Sequence, residues 1–163
     1  MMQTNRTIWL TALLVASGLA VFGLTIDDGN VAVTASAAEL ADDGPQPVDD
    51  DMHHFMEYVF EPNYKRLQAE MAEPPKDKQA WKAIKGDALT LAECANLLLF
   101  RAPDEDAAEW QALSVAVRGD GGELYQAARN SDYPAARKAY EKMLNNCNAC
   151  HKKFAEGKYQ LKP

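Results

Sequence analysis

Four stretches of this chain carry apolar residues at helical spacing, and each is cut from the next by proline, glycine or a short acidic cluster. That periodicity gathers the apolar residues of each stretch into one stripe, so the stripes can be hidden only by packing helix against helix. The first stripe runs Met52, Phe55, Met56, Val59, Phe60, Leu67 and Met71, over about 50–72. Asp49 to Asp51 can cap it and complement its dipole, and Pro62 removes one backbone donor within it, which predicts a bend. After Pro74-Pro75, Asp77 can cap a second segment with Trp81, Ile84, Ala88, Leu91, Ala95 and Leu98 inward, ending at Arg101-Ala102-Pro103. Asp104 to Asp106 begin a third, with Trp110, Leu113, Val117, Leu124 and Ala127 inward; Gly119, Gly121 and Gly122 weaken its centre and predict a kink or a split there. A turn at Asn130-Ser131-Asp132 leads into the fourth, with Asp132 as N-cap, Pro134 in the first turn and Gly157 as the stop. Its inward row is Ala136, Tyr140, Met143, Cys147, Cys150 and Phe154. Four such segments on short connections predict an all-α fold, an antiparallel up-down-up-down four-helix bundle over 50–163. No run alternates as a strand would, and no internal repeat or phosphate-cradling glycine loop is present.

The fourth segment also carries the chain's most specific chemistry, Cys147-Asn148-Ala149-Cys150-His151. On a helix, residues three and four apart share a face, so both sulfurs and the imidazole project together. This C-x-x-C-H spacing is the one used for covalent haem attachment: each thiol forms a thioether with one vinyl group, and the His151 imidazole reaches the iron as proximal ligand. The expectation is one haem c per chain, covalently attached. A thioredoxin-like redox pair would sit beside a βαβ pattern, which is missing. A structural zinc site needs four ligands, and Cys94, His53 and His54 do not supply that spacing. Cys94, flanked by Leu91, Ala95 and Leu98, reads as a small buried hydrophobe.

Haem attachment through thioethers agrees with export. Arg6 precedes an apolar run from Ile8 to Leu24, and Ala35-Ser36-Ala37-Ala38 supply small residues for cleavage; residues 1–38 read as a signal peptide, or, if uncleaved, as a membrane anchor at the short limit for a span. The expected location is periplasmic, or otherwise exported. Residues 39–49 are acidic, contain Pro45 and Pro47, and read as a flexible linker. The remaining length suits one small domain, and a net charge of −7 carries no nucleic-acid footprint.

An exported four-helix bundle with its C-x-x-C-H in the last helix resembles the cytochrome c prime and cytochrome c-556 family. The resemblance spans roughly 50–156 and includes Trp110 early in the third segment, the Asn130-Ser131-Asp132 turn, and Tyr140 two turns before Cys147. The chain departs from the family in Pro62 and in Ala155, where a basic residue often follows the aromatic. The resemblance implies that the iron face opposite His151 is met by a residue of the first helix: methionine gives six-coordinate iron, an apolar blocker five-coordinate iron. Met52, His53, His54 and Met56 are available. Met56 is the reading for the distal ligand because its placement matches the family's, with core packing as its alternative role and His53 as the competing ligand.

Two functions follow. With a thioether ligand the protein is a one-electron carrier between redox partners, not an enzyme. With five-coordinate iron it binds nitric oxide or carbon monoxide. A peroxidase would need a distal base and room for substrate, for which His53 is the candidate. Arg137, Lys138, Lys142, Lys152, Lys153, Lys158 and Lys162 cluster around the fourth segment and would steer an acidic redox partner. Bundles of this type also pair as homodimers, and no residue pattern here marks a dimer face.

Overall fold

The computed structural model describes residues 46–163 and, as a separate unit, two short strands. The strands are β1 (Thr25–Asp27) and β2 (Asn30–Ala32), an antiparallel pair in which Ile26 faces Val31. The sequence reading recognised no strand. The signal was there in Asp28-Gly29, a pair that favours two-residue hairpin connections, but three-residue strands are too short to show alternation. The apolar run 8–24 and the proposed cleavage region lie outside the described residues. Among those described, no helix is long and apolar enough to cross a membrane.

Residues 46–163 form an all-α four-helix bundle whose neighbouring helices pack antiparallel, as the four stripes predict. The first helical run has three parts: α1 (Met52–Phe55), a π turn over Met56–Phe60, and α2 (Glu61–Glu70). It is followed by α3 (Lys78–Leu98), which tightens into a 3-10 turn at Leu99–Arg101, then α4 (Ala107–Arg129) and α5 (Tyr133–Phe154). Three of the four starts are capped as read. Asp51 accepts from the His53 and His54 amides, Asp77 from Ala80, and Asp132 from Ala135. At the fourth, Asp106 takes a left-handed conformation and caps nothing with its side chain.

Two expectations are corrected. Pro62 does not end the first run: the chain stays helical through it, and the local change is the π segment over Met56–Phe60 immediately before α2, whose first turn holds Pro62. The glycines do not split α4, which runs unbroken over Ala107–Arg129. A Cβ on Gly121 would lie 3.0 Å from the Cβ of Ala92, so this glycine lets α3 and α4 approach closely, while Gly119 and Gly122 meet nothing within 4 Å.

The core is continuous across all four helices. Leu67, Met71, Ile84, Leu124 and Tyr140 are fully buried, each large apolar side chain contributing roughly 1.5–3 kcal/mol. Most buried polar groups are partnered: Trp110 Nε1 donates to the Leu98 carbonyl at 2.7 Å, and Ser114 Oγ to the Trp110 carbonyl at 2.8 Å, whereas Tyr140 Oη and Glu70 Oε2 are buried without a hydrogen-bond partner. Asp87 takes a forked contact from Arg66 Nε and Nη2. α3 packs closely on α4 and α4 on α5, but the first run makes little close backbone contact with α5. Away from the π turn, the two are tied by hydrogen bonds: Tyr133 Oη and Arg137 Nη1 both donate to the Met71 carbonyl at 2.9 Å, one of the orphan acceptors at a helix end.

Candidate functional site

Antiparallel order gathers the start of the first run, the end of α3, the start of α4 and the end of α5 at one end of the bundle. A cavity of about 840 Å³ lies there, within the roughly 300–1,000 Å³ of small-molecule and cofactor sites. Leu91, Leu98, Trp110, Val117, Met143 and Leu144 supply its apolar lining, with Phe60 and Phe154. The Phe154 ring meets Trp110 edge-on at 5.0 Å, which holds the indole in place from the α5 side.

Three of the residues singled out in the sequence come from α5. Cys147, Cys150 and His151 all line this cavity, as their helical spacing requires. Met52, His53 and Met56 of the first run line it too, Met52 and Met56 partly buried against the core. His53 is the more exposed, its side chain 61% accessible and 3.5 Å from Glu57. His54 is not part of the site. It points to a separate surface pocket of about 410 Å³ and pairs with Asp49 at 3.0 Å, and that hydrogen bond raises its pKa. Cys94 is partly buried on α3 and does not line the cavity.

The electrostatics of the α5 residues follow from burial. Removal from water pushes the Cys147 thiol up to about 12 and the Cys150 thiol up to about 11, so both are neutral at neutral pH. His151 is set differently: its Nδ1 lies 2.8 Å from the Tyr159 carbonyl oxygen. A carbonyl only accepts, so Nδ1 is the donor, and in the neutral imidazole Nε2 is then the nitrogen that carries the lone pair.

The segment that supplies this carbonyl is the feature sequence reasoning missed. α5 ends with the His151 carbonyl accepting from both the Ala155 and Gly157 amides. The chain then turns back through left-handed conformations at Glu156, Gly157 and Tyr159, which cost about 1–3 kcal/mol for each non-glycine residue and persist only where the surroundings impose them. Asn148 imposes one end: its Oδ1 accepts from the Leu161 amide at 2.7 Å and its Nδ2 donates to the Leu161 carbonyl at 2.9 Å. Tyr64 and Gln68 of α2 impose the other, bonding the main chain of Lys162 at 2.8–3.0 Å. At the cavity end the first run and α5 are therefore bridged by the C-terminal tail, whose Tyr159 and Leu161 join the cavity lining. Only Gly157, followed by an isolated aromatic and a leucine, hints at this in the sequence.

Among the described residues no three His, Cys, Asp or Glu side chains converge as a metal-ion cluster. Cys147, Cys150 and His151 thus share one cavity without meeting at a point. A structural zinc site needs four ligands, and these three residues do not gather as one. Neither protein-family models nor curated proteins give a match to this chain, so the site is interpreted from its own residues.

Proposed function

We propose that the protein is an exported mono-haem c-type cytochrome, similar to the cytochrome c prime and cytochrome c-556 family, that carries single electrons between redox partners. The observation that carries this reading is the shared cavity: two thiols, an imidazole with Nε2 free, and the thioether side chains of the first run open onto one apolar space. The residues fit the group. Cys147 and Cys150 would hold haem through thioethers, and His151 Nε2 would face the iron. Haem supplies the one-electron couple; the chain binds it, orients it and keeps water from most of its surface.

Met56 is the distal ligand in this reading, favoured over His53 because it is partly buried while His53 is largely exposed beside Glu57. A thioether there raises the reduction potential and favours electron transfer. The other reading, a five-coordinate haem binding nitric oxide or carbon monoxide, draws on the packing of Met56 against the core, which suits a blocker as well as a ligand. Docking to an acidic partner would rest on fewer cations than the sequence offers, because Arg137, Lys142, Lys153 and Lys158 are paired within the chain. Export rests on residues 1–38.

Production in cells that assemble c-type cytochromes tests the proposal. The purified protein is expected to keep its pigment in acidified organic solvent, and the Cys147→Ser/Cys150→Ser variant to lose it; colourless wild-type protein would overturn the reading. Ferric and ferrous spectra then separate the two functions, low-spin six-coordinate for the carrier and high-spin five-coordinate for the gas binder. Met56→Ala is expected to convert the first spectrum to the second, and an unchanged spectrum removes Met56 as ligand.

A further inference from the structure

The C-terminal tail does more than cover the cavity. It leaves α5 through left-handed backbone at Glu156, Gly157 and Tyr159 and would not hold that path unaided. Both main-chain groups of Leu161 are engaged by one side chain, Asn148, which lies between the two cysteines of the motif. Between these anchors sits Tyr159, whose carbonyl accepts from His151 Nδ1 at 2.8 Å. We propose that Asn148 is a positioning residue: by clamping Leu161 it holds the tail as a strap whose Tyr159 carbonyl fixes the tautomer and rotation of the His151 ring.

The physical reason is that an imidazole ligand is oriented by the hydrogen bond its other nitrogen makes, and loss of such an outer partner typically weakens metal binding by 10–100-fold. Donation from Nδ1–H to a carbonyl also makes Nε2 a stronger electron donor, which favours the ferric state. Strained backbone held by surrounding bonds is where such constraints are found. The tyrosine ring has no part in this; the acceptor is main chain. Tyr64 and Gln68 hold Lys162 from α2, so the strap also links the ligand's orientation to the first helical run.

This inference rests on His151 being the proximal ligand, and the test separates the two. The full chain labelled with 15N is compared with Asn148→Ala, with a chain ending at Lys158, and with Tyr159→Asn, which keeps a carbonyl and suits left-handed backbone. In wild type the His151 Nδ1 proton is expected to be present and slow to exchange. Asn148→Ala and the shortened chain should exchange it at least tenfold faster, while Tyr159→Asn stays slow. In pigmented protein the first two should also lose about tenfold in ferric preference, a rise of about 59 mV for one electron. The ring-nitrogen measurement needs no pigment, so a colourless protein with a protected Nδ1 proton would sink the haem reading and leave the strap standing. Equal exchange in wild type, Asn148→Ala and the shortened chain would overturn the strap, as would a Tyr159→Asn effect as large as truncation. The shortened chain leaves the motif intact, so local damage around Asn148 cannot mimic the result.

Discussion

The two ends of the bundle are made by the same four helices and are packed in different ways. At one end Leu67, Met71, Ile84, Leu124, Ala136 and Tyr140 are fully buried, and the first run is joined to α5 by Tyr133 and Arg137 at the Met71 carbonyl. At the other end the same pair of helical segments encloses about 840 Å³, bridged only by the tail. The stripe of the first run explains the contrast. Leu67 and Met71 fill the closed end, whereas Met52, Met56 and Phe60 stay partly buried around the cavity. Between the two lie the π turn and Pro62, a local irregularity of the sort often found at functional sites. Close packing and the cavity thus lie at opposite ends of one core.

That division can be broken by experiment. The largest effect belongs to the closed end: Leu67→Ala should cost about 2–5 kcal/mol in urea denaturation, and Leu113→Ala, on a partly buried residue lining the cavity, roughly 1 kcal/mol. Equal losses would mean that the two ends are packed alike. Next comes the contact that brings α3 and α4 together. Gly121→Ala places a methyl group 3.0 Å from Ala92 Cβ and should destabilise by about 1–3 kcal/mol. Gly122→Ala meets nothing within 4 Å and should stabilise by about 0.5–1 kcal/mol through helix propensity. If both behave as Gly122→Ala does, the close approach contributes nothing.

The smallest effect sharpens the comparison by locating a polar fault on α2, beside the closed end. Glu70 Oε2 is buried without a partner, and burial, reinforced by Asp87 and opposed by Arg66, raises its pKa to about 7 from an ordinary 4.5. The folded chain therefore keeps this proton to higher pH than the unfolded chain does, and folding stability falls as pH rises from about 4.5 to about 7 before levelling off. Glu70→Gln should remove that slope and gain about 1 kcal/mol at pH 8, a value discounted for the part of the side chain that water screens. A wild-type stability that is flat across this window would exclude the buried carboxylate as its cause.

Much of the fold was legible because helical periodicity is a local property. The rows Trp81 to Leu98 and Ala136 to Phe154 reappear as inward faces, and Asp77 and Asp132 cap where their spacing indicated. The glycines of α4 misled because a sequence shows the conformational freedom of Gly121 but not the Ala92 methyl it must avoid. The grouping of Cys147, Cys150 and His151 was equally readable, since helix geometry alone puts them on one face.

The residues by themselves determined how many helices form, which side of each is apolar, and that two thiols and an imidazole share a face, because each depends on neighbours a few positions apart. Tertiary structure decided what lies across from that face and what the imidazole's second nitrogen touches. Met56 comes to the same cavity only through the packing of all four helices. The Tyr159 carbonyl reaches His151 only because Asn148, Tyr64 and Gln68 hold the tail, contacts of up to 98 positions along the chain that no local pattern encodes.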